Sequence, residues 1–302
     1  MQSNPIKDNQ RIRIIDAIRG IAILGILLMN VYVGGQYWEA NFFPKLISDY
    51  KSADFISTIL VQSLFEGKMR ALFCMLFGAG ILLFLQNKKD LSKSQIRKLH
   101  FTRMFWLALF GFFNGYVLLF KYDILFMYAV AGLVLIFLKD LRIRYKLLAM
   151  PLIILIGLIK SNLDYHQERN EYLKGLDAAV QLAPNNGGKE YLQDLQQEEK
   201  LMKGSYLETA EAVYPHVFDG QTTDFIERIT DNIPLMLLGM ALFQLGFFTN
   251  GWSTSQYRKT MIIGYFVGIP LVIYDWYFLL EIQNNDEARN AMYQKKHMTY
   301  HF

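Results

Sequence analysis

Arg13-Ile14-Ile15-Asp16-Ala17-Ile18-Arg19-Gly20 runs without a break into the apolar stretch Ile21 to Met29 and then Asn30. A charge in the middle of a bilayer-spanning helix costs roughly 2.5–3.5 kcal/mol on insertion scales, so one without a partner is strongly disfavoured. Asp16 and Arg19, three residues apart, share a helical face and can pair. Asn30 follows Arg19 by eleven residues, close to three whole turns, and projects from the same face about half a membrane deeper. The first helix therefore carries a polar seam that faces other protein rather than lipid.

The rest of the chain agrees with that class. Apolar residues make up 53% and aromatics 15% of 302 residues, in segments too long for a soluble fold to cover with polar surface. The expected fold is all-α, a polytopic transmembrane bundle with spans at 14–34, 69–86, 102–120, 123–138, 145–161, 229–249 and 257–280. Most of these approach the ~20 residues that cross a bilayer. Phe55 to Phe65 is apolar but too short to cross alone, and reads as an interfacial or re-entrant helix. The organisation expected is an N-terminal membrane bundle over 1–161, an extracytoplasmic helical loop over 162–227, a membrane helix pair over 228–281 and a polar tail over 282–302.

Basic residues orient the spans. Lys7, Arg11 and Arg13 precede the first; Lys88, Lys89, Lys93, Arg97 and Lys98 follow the second; Lys139, Arg142, Arg144 and Lys146 follow the fourth; Arg258 and Lys259 follow the sixth. All then fall on one side, which places the N-terminus in the cytoplasm. The stretch from Asn162 to Glu227 holds thirteen acidic against five basic residues and lies outside. A net charge of +4 with this topological explanation gives no support for nucleic-acid binding. Asp16 and Arg19 interrupt the would-be core of a signal peptide, so the first span is expected to remain as an anchor. Cys74 is the single cysteine, which excludes an intramolecular disulfide and a cysteine metal cluster.

In the outer loop, Tyr191, Leu195 and Leu201 fall in an amphipathic run broken by Gly204, and a second run from Tyr206 is expected to end at Pro215. Pro184-Asn185-Asn186-Gly187-Gly188 is a turn cluster that separates these from a helical stretch around Tyr172 to Leu182. The loop reads either as a cap over the bundle or as a solvated spacer.

Arg103 and Asn114 repeat the Arg-x10-Asn spacing on the third span, and Asp123 opens the fourth. A third cluster, Glu66-Gly67-Lys68-Met69-Arg70, sits between the short apolar segment and the second span, with Glu66 and Arg70 at pairing distance along a helix. Carboxylates, guanidinium groups and amides so arranged suit an anionic or sugar-like substrate. Each also has an ordinary reading: Asp123 as a helix N-cap, Lys68 and Arg70 as headgroup anchors, Asn30 and Asn114 as hydrogen bonds between helices. His100, His166, His216, His297 and His301 fall in loops or at helix ends, with His100 on the basic face. Gly78-Ala79-Gly80 lacks a preceding strand and lets two membrane helices approach closely rather than cradling a dinucleotide. There is no phosphate loop, zinc-protease motif or nucleophile elbow, so any catalysis is built from intramembrane residues, without a metal.

Ile15-Asp16-Ala17-Ile18-Arg19-Gly20 with Gly25 to Asn30, Gly67 to Phe73 with Phe77-Gly78-Ala79-Gly80, Arg103 through Gly115 and Tyr122-Asp123-Ile124-Leu125 resemble the YeiB-like membrane proteins that carry domain of unknown function 418. A weaker block, Met236 to Phe243 with Leu245-Gly246, extends the resemblance towards residue 275. The resemblance implies kinship with transmembrane acyltransferases that use cytosolic acyl-CoA to modify glycans across the membrane. A catalytic His of one branch falls at Asn30, and a His common in YeiB-like proteins falls at Asn114. An amide takes up no proton at neutral pH, so both departures remove a general base. Family members usually continue with further apolar helices, where this sequence has the polar stretch Gln283 to Phe302. The expectation is a truncated or a reduced relative.

Two functions follow. In an acyltransferase-like enzyme with acyl-CoA as co-substrate and no bound cofactor, Arg19 and Arg103 hold the donor, Asn30 and Asn114 orient its thioester, and Asp123 or Glu66 serves as acid or base. Asp16, Lys68 and Arg70 complete the substrate-binding set, and the acceptor is a glycan or lipid. The alternative is a non-catalytic carrier for a small anionic solute or lipid, or a membrane binding partner that uses its outer loop.

Overall fold

The computed structural model describes residues 13–34, 52–86, 88, 91–180 and 200–284. These are helical, with no strand among them. The helices are α1 Arg13–Gly34, α2 Ala53–Leu64, α3 Lys68–Gln86, α4 Lys93–Tyr116, α5 Leu125–Leu138, α6 Ile143–Val180, α7 Tyr206–Gln221, α8 Phe225–Gln244 and α9 Thr254–Asn284. The chain is thus an all-α protein with helices of membrane-spanning length. Arg13–Val31, Ala53–Gln86 and Ile143–Leu163 are long and apolar enough to cross a bilayer, and Leu125–Leu138 is a shorter apolar helix. The other expected spans lie on α4, α8 and α9, whose apolar runs are diluted by charged first turns or by Tyr, Gly and Pro. Many large apolar side chains on α1, α4, α6 and α9 are exposed, such as Leu24, Phe105, Leu158 and Phe266, as on helices solvated by lipid.

Several boundaries differ from the sequence expectation for identifiable reasons. α4 starts at Lys93 rather than 102, because Ser92 and Gln95 form a capping box: the Gln95 N–H donates to Ser92 Oγ (3.3 Å) and the Ser92 N–H to Gln95 Oε1 (2.9 Å). The helix therefore continues backwards through the basic residues that hydropathy excludes. α6 does not stop at 161 but continues to Val180, since the polar stretch after Leu163 has no Pro and no Gly before Gly175. α7 runs through Pro215 to Gln221, and burial of Val213, Val217 and Gly220 offsets the missing hydrogen bond. The turn cluster 184–188, Tyr191, Leu195 and the C-terminal tail from 285 lie outside the described residues.

Contacts group the chain into two compact units, one running through Leu83 with Leu235–Leu279 and the other over Phe84–Pro234. This grouping cuts across the expected 1–161 and 228–281 blocks by dividing α3 and α8.

In the first unit α1 buries Ile15, Ala22 and Gly25, and a Cβ on Gly25 would strike the Met69 side chain. α2 opens on Ser52, whose Oγ accepts the Phe55 N–H (3.1 Å), and its end is met by Lys68 Nζ donating to the Gln62 carbonyl (3.3 Å). The chain turns at 65–67, with Gly67 left-handed at φ 67°, into α3. α3 and α8 cross with backbones in contact. A Cβ on Gly78 would stand 2.0 Å from the Met236 carbonyl oxygen, and one on Gly239 1.9 Å from that of Met75. Gly78 thus serves the close helix approach expected of it. After α8, Gly246 and Asn250 are left-handed, and Trp252 and Tyr257 donate to the Leu245 and Phe247 carbonyls at 2.8 and 2.6 Å. Trp276 of α9 ties back to α2 by donating to Ser63 Oγ (2.7 Å).

The second unit is centred on α4 and α5. His100, Met104, Gly111 and Gly115 form the buried stripe of α4, and α5 buries most of its circumference, including Met127, Tyr128, Ala131 and Leu135. At Gly111 the absent side chain leaves room for the first turn of α5, because a Cβ there would lie 2.5 Å from the Phe126 nitrogen. Lys146 of α6 is wholly buried and donates to the Lys139 carbonyl (2.7 Å) at the end of α5. α7 packs on α4 through Val217 against Gly115, and Tyr206 donates to the Val117 carbonyl (3.0 Å). α6 meets α8 where Gly157 faces Thr230.

Candidate functional site

The polar groups of the second unit converge where α4 ends. The last turn of α4 is closed by Leu118 N–H to the Phe113 carbonyl (3.0 Å) and Phe120 N–H to that of Asn114 (3.1 Å), with Leu119 left-handed at φ 55°. This wrapped end brings the chain back so that Asp123, nine residues after Asn114, is buried beside it. Asn114 Nδ2 donates to Asp123 Oδ1 (2.8 Å), and the Phe126 N–H donates to Asp123 Oδ2 (3.0 Å). The second bond ties Asp123 to the first turn of α5, whose N-cap position is Ile124. A carboxylate has about four acceptor positions, and two protein donors leave lone pairs on both oxygens.

Asp123 also lines a small pocket with Lys121, Phe126, Val217, Gln221 and Arg228. It has room for one water-sized group. α7 covers it, and α8 contributes Arg228, whose guanidinium lies 3.7 Å from Asp224 Oδ2 and against Gly220. The Lys121 ammonium lies over the Tyr122 ring at 5.4 Å. The Gln221 amide nitrogen is buried without a hydrogen-bond partner. The pocket thus brings one carboxylate together with two cationic side chains.

Of the residues singled out in sequence, only Asn114 and Asp123 are brought together here. Arg103 is exposed, with its guanidinium stacked 4.2 Å over Phe84. In the other unit, Arg19 donates to Asp16 Oδ1 at 3.1 Å, as their spacing predicts, and lies close to Gly80. Asn30 is half-buried on α1; Glu66 occupies the turn before α3; Arg70 lies in the first turn of α3; and Lys68 serves the end of α2.

Lys121, Gln221 and Arg228 carried no signal in the sequence beyond their position beside or within polar stretches. His100 corrects an expectation. It is not in a loop or at a helix end on the basic face but wholly buried within α4, where Nε2 donates to the Gly132 carbonyl (2.9 Å) and Nδ1 has no partner. His166 and His216 also lie inside helices, α6 and α7, while His297 and His301 lie outside the described residues. No group of His, Cys, Asp and Glu able to hold a metal is present among the described residues.

No family model matches the chain, and no solved structure matches it. It is similar to the uncharacterized protein YxaH of Bacillus subtilis (strain 168), 30% identical over 146 residues that cover 46% of this chain and 35% of YxaH. It is similar also to the uncharacterized protein YeiB of Escherichia coli (strain K12), 24% identical over 278 residues that cover 87% of this chain and 64% of YeiB. The chain therefore spans less than two thirds of either relative's length. The chain thus combines membrane-length helices with similarity to YeiB along most of its own sequence.

Proposed function

We propose that this protein is an integral-membrane acyltransferase-like enzyme of the bacterial inner membrane that transfers an acyl group from cytosolic acyl-CoA to an extracytoplasmic glycan or lipid. The observation that carries the reading is the Asp123 carboxylate, buried, aligned by Asn114 and lining a small pocket with Lys121 and Arg228. Lys93, Arg97 and Lys98 support a cytoplasmic start for α4, with its other end, Asp123 and α7 facing outwards. At 24 residues α4 is ~36 Å long, enough to connect the two sides.

In this reading Arg103 binds the phosphates of the donor, and Asn114 holds Asp123. Asp123 takes the proton of the acceptor as the acceptor atom bonds to the thioester carbonyl. The C–S bond breaks, and the departing thiolate takes up a proton as free CoA thiol. Glu66, in the turn between α2 and α3, is the second candidate acid or base.

A non-catalytic reading, as a carrier of a small anionic solute or lipid or as a binding partner, is favoured by one observation: both Asp123 oxygens already accept protein hydrogen bonds. Acetyl-CoA titrated into the full chain in nanodiscs separates the two. Saturable binding lost in the Arg103→Ala variant, with transfer reduced roughly 100-fold or more by Asp123→Asn, supports the enzyme. Absence of acyl-CoA binding by folded protein refutes it.

A further inference from the structure

α7 is fixed against the end of α4 at two points. A Cβ on Gly115 would stand 2.7 Å from Val217 Cγ1, so the missing side chain admits α7, and the Tyr206 hydroxyl donates to the Val117 carbonyl (3.0 Å). That carbonyl is among those a helix end leaves open. With Ala210, Val213, Val217 and Gly220 buried, the rest of the helix circumference is determined. Leu207, Tyr214 and Phe218, at i, i+7 and i+11, form a second stripe roughly a quarter turn from the buried one. Glu208 and Asp219 lie about as far round again, and Glu211 stands between these two stripes. Leu207, Tyr214 and Phe218 are 77%, 40% and 57% exposed among the described residues, so this apolar flank is left open beside an acidic face. It is also continuous with α4. The Tyr214 ring lies 5.6 Å from that of Tyr116, which stacks on Phe112 at 5.2 Å. By their spacing Phe105, Leu109, Phe112 and Tyr116 share one side of α4, with Tyr116 half-buried and the others exposed. An apolar surface therefore passes from the side of a 24-residue helix onto α7. Tyr116, Tyr206 and Tyr214 at the junction are amphipathic side chains of the kind that concentrate at headgroup level.

We infer that α7 is an interfacial helix, seated in the leaflet around the far end of α4 with Leu207, Tyr214 and Phe218 in the acyl-chain boundary and Glu208 and Asp219 turned to water. Because α7 carries Glu and Asp but no Lys or Arg, apolar contact rather than attraction to anionic headgroups holds it there, and the surface it fits is zwitterionic lipid. Val217 and Gly220 of the same helix line the Asp123 pocket, which sets that pocket at headgroup depth. The seating of α7 does not depend on acyl transfer.

The experiment is spin labelling of the full chain in phosphatidylcholine nanodiscs. Power saturation reads collisions of each nitroxide with oxygen, which concentrates among acyl chains, and with a neutral nickel chelate, which stays in water. Cys74 is wholly buried, and the unsubstituted chain is the labelling blank. Labels are placed singly by Leu207→Cys and Phe218→Cys on the apolar flank and by Pro215→Cys and Asp219→Cys on the polar side, all four positions being exposed. Circular dichroism and thermal unfolding unchanged from the blank admit a labelled variant. Labels at 207 and 218 are expected to collide several-fold more with oxygen than with nickel, at a depth of roughly 5–10 Å. Labels at 215 and 219 should show the opposite, an alternation with the helical period that misfolding cannot mimic. Equal nickel access at all four positions would mean that α7 stands in water. Exclusion of both reagents at 207 and 218 would mean that protein, a further segment of this chain or a second copy, covers the flank. Either result overturns the assignment.

Discussion

Gly78→Ala tests the crossing of α3 and α8, because the new methyl would meet backbone that cannot swing away. Its carbon would stand 2.0 Å from the Met236 carbonyl oxygen and 2.7 Å from the carbonyl carbon. The shortest comfortable carbon to oxygen contact is about 3.3 Å, so the helices must part locally by ~1.3 Å. A radial gap of 0.5–1 Å already forfeits roughly a quarter to a half of each dispersion well, and the seam beside Gly78 holds the wholly buried Leu76, Ala79, Met236, Leu237 and Met240. Overpacking of this kind costs about 1–3 kcal/mol, here towards the upper end because both obstacles are main chain. Exchanging Gly for Ala in a helix returns roughly 1 kcal/mol, for a net loss of about 2 kcal/mol. Gly20→Ala on α1, where a Cβ meets nothing within 4 Å, keeps only the gain. The two variants should therefore differ by about 3 kcal/mol in reversible unfolding in the same bilayer mimic. Gly239→Ala should resemble Gly78→Ala, and the pair should cost less than the sum, since one separation of the helices relieves both. Gly78→Ala as stable as Gly20→Ala would refute the backbone contact.

Asn114→Leu removes a hydrogen bond to a buried carboxylate and should cost about 1.5–3 kcal/mol in the same unfolding measurement; a change under ~0.5 kcal/mol would show that the Asn114 to Asp123 bond does not form. The Glu208 carboxyl is held below its ordinary value of 4.5 by the hydroxyl and backbone N–H of Ser205. A group depressed in the folded state contributes its stability above the unfolded pKa and loses it as pH falls through the folded one. The first turn of α7 should accordingly be fully protected from amide exchange above pH 4.5 and fray below it. Glu208→Gln should remove that pH dependence, and an unchanged profile would exclude the capping box as its source.

What the sequence determined by itself is local. The length and apolarity of the runs require helices, since a backbone in lipid can satisfy its hydrogen bonds only internally. Asp16 and Arg19 pair because three residues of helix set their distance, and the use of Gly78 for close approach is legible without knowing the partner. Even the true start of α4 stands in the sequence as Ser92 and Gln95, obscured by a hydropathy reading that stops at the charges. Asp123 at the opening of α5 and Asn114 as hydrogen-bonding amide were legible separately, but their union needed the left-handed turn at Leu119, which no glycine announces. The remainder belongs to tertiary structure. Met236 as the partner of Gly78, the burial of His100 against Gly132 and the arrival of Gln221 and Arg228 at Asp123 join positions 32 to 158 residues apart. Periodicity identifies which face of a helix is apolar, but only packing decides which other helix covers it and which polar side chains are trapped at the crossing.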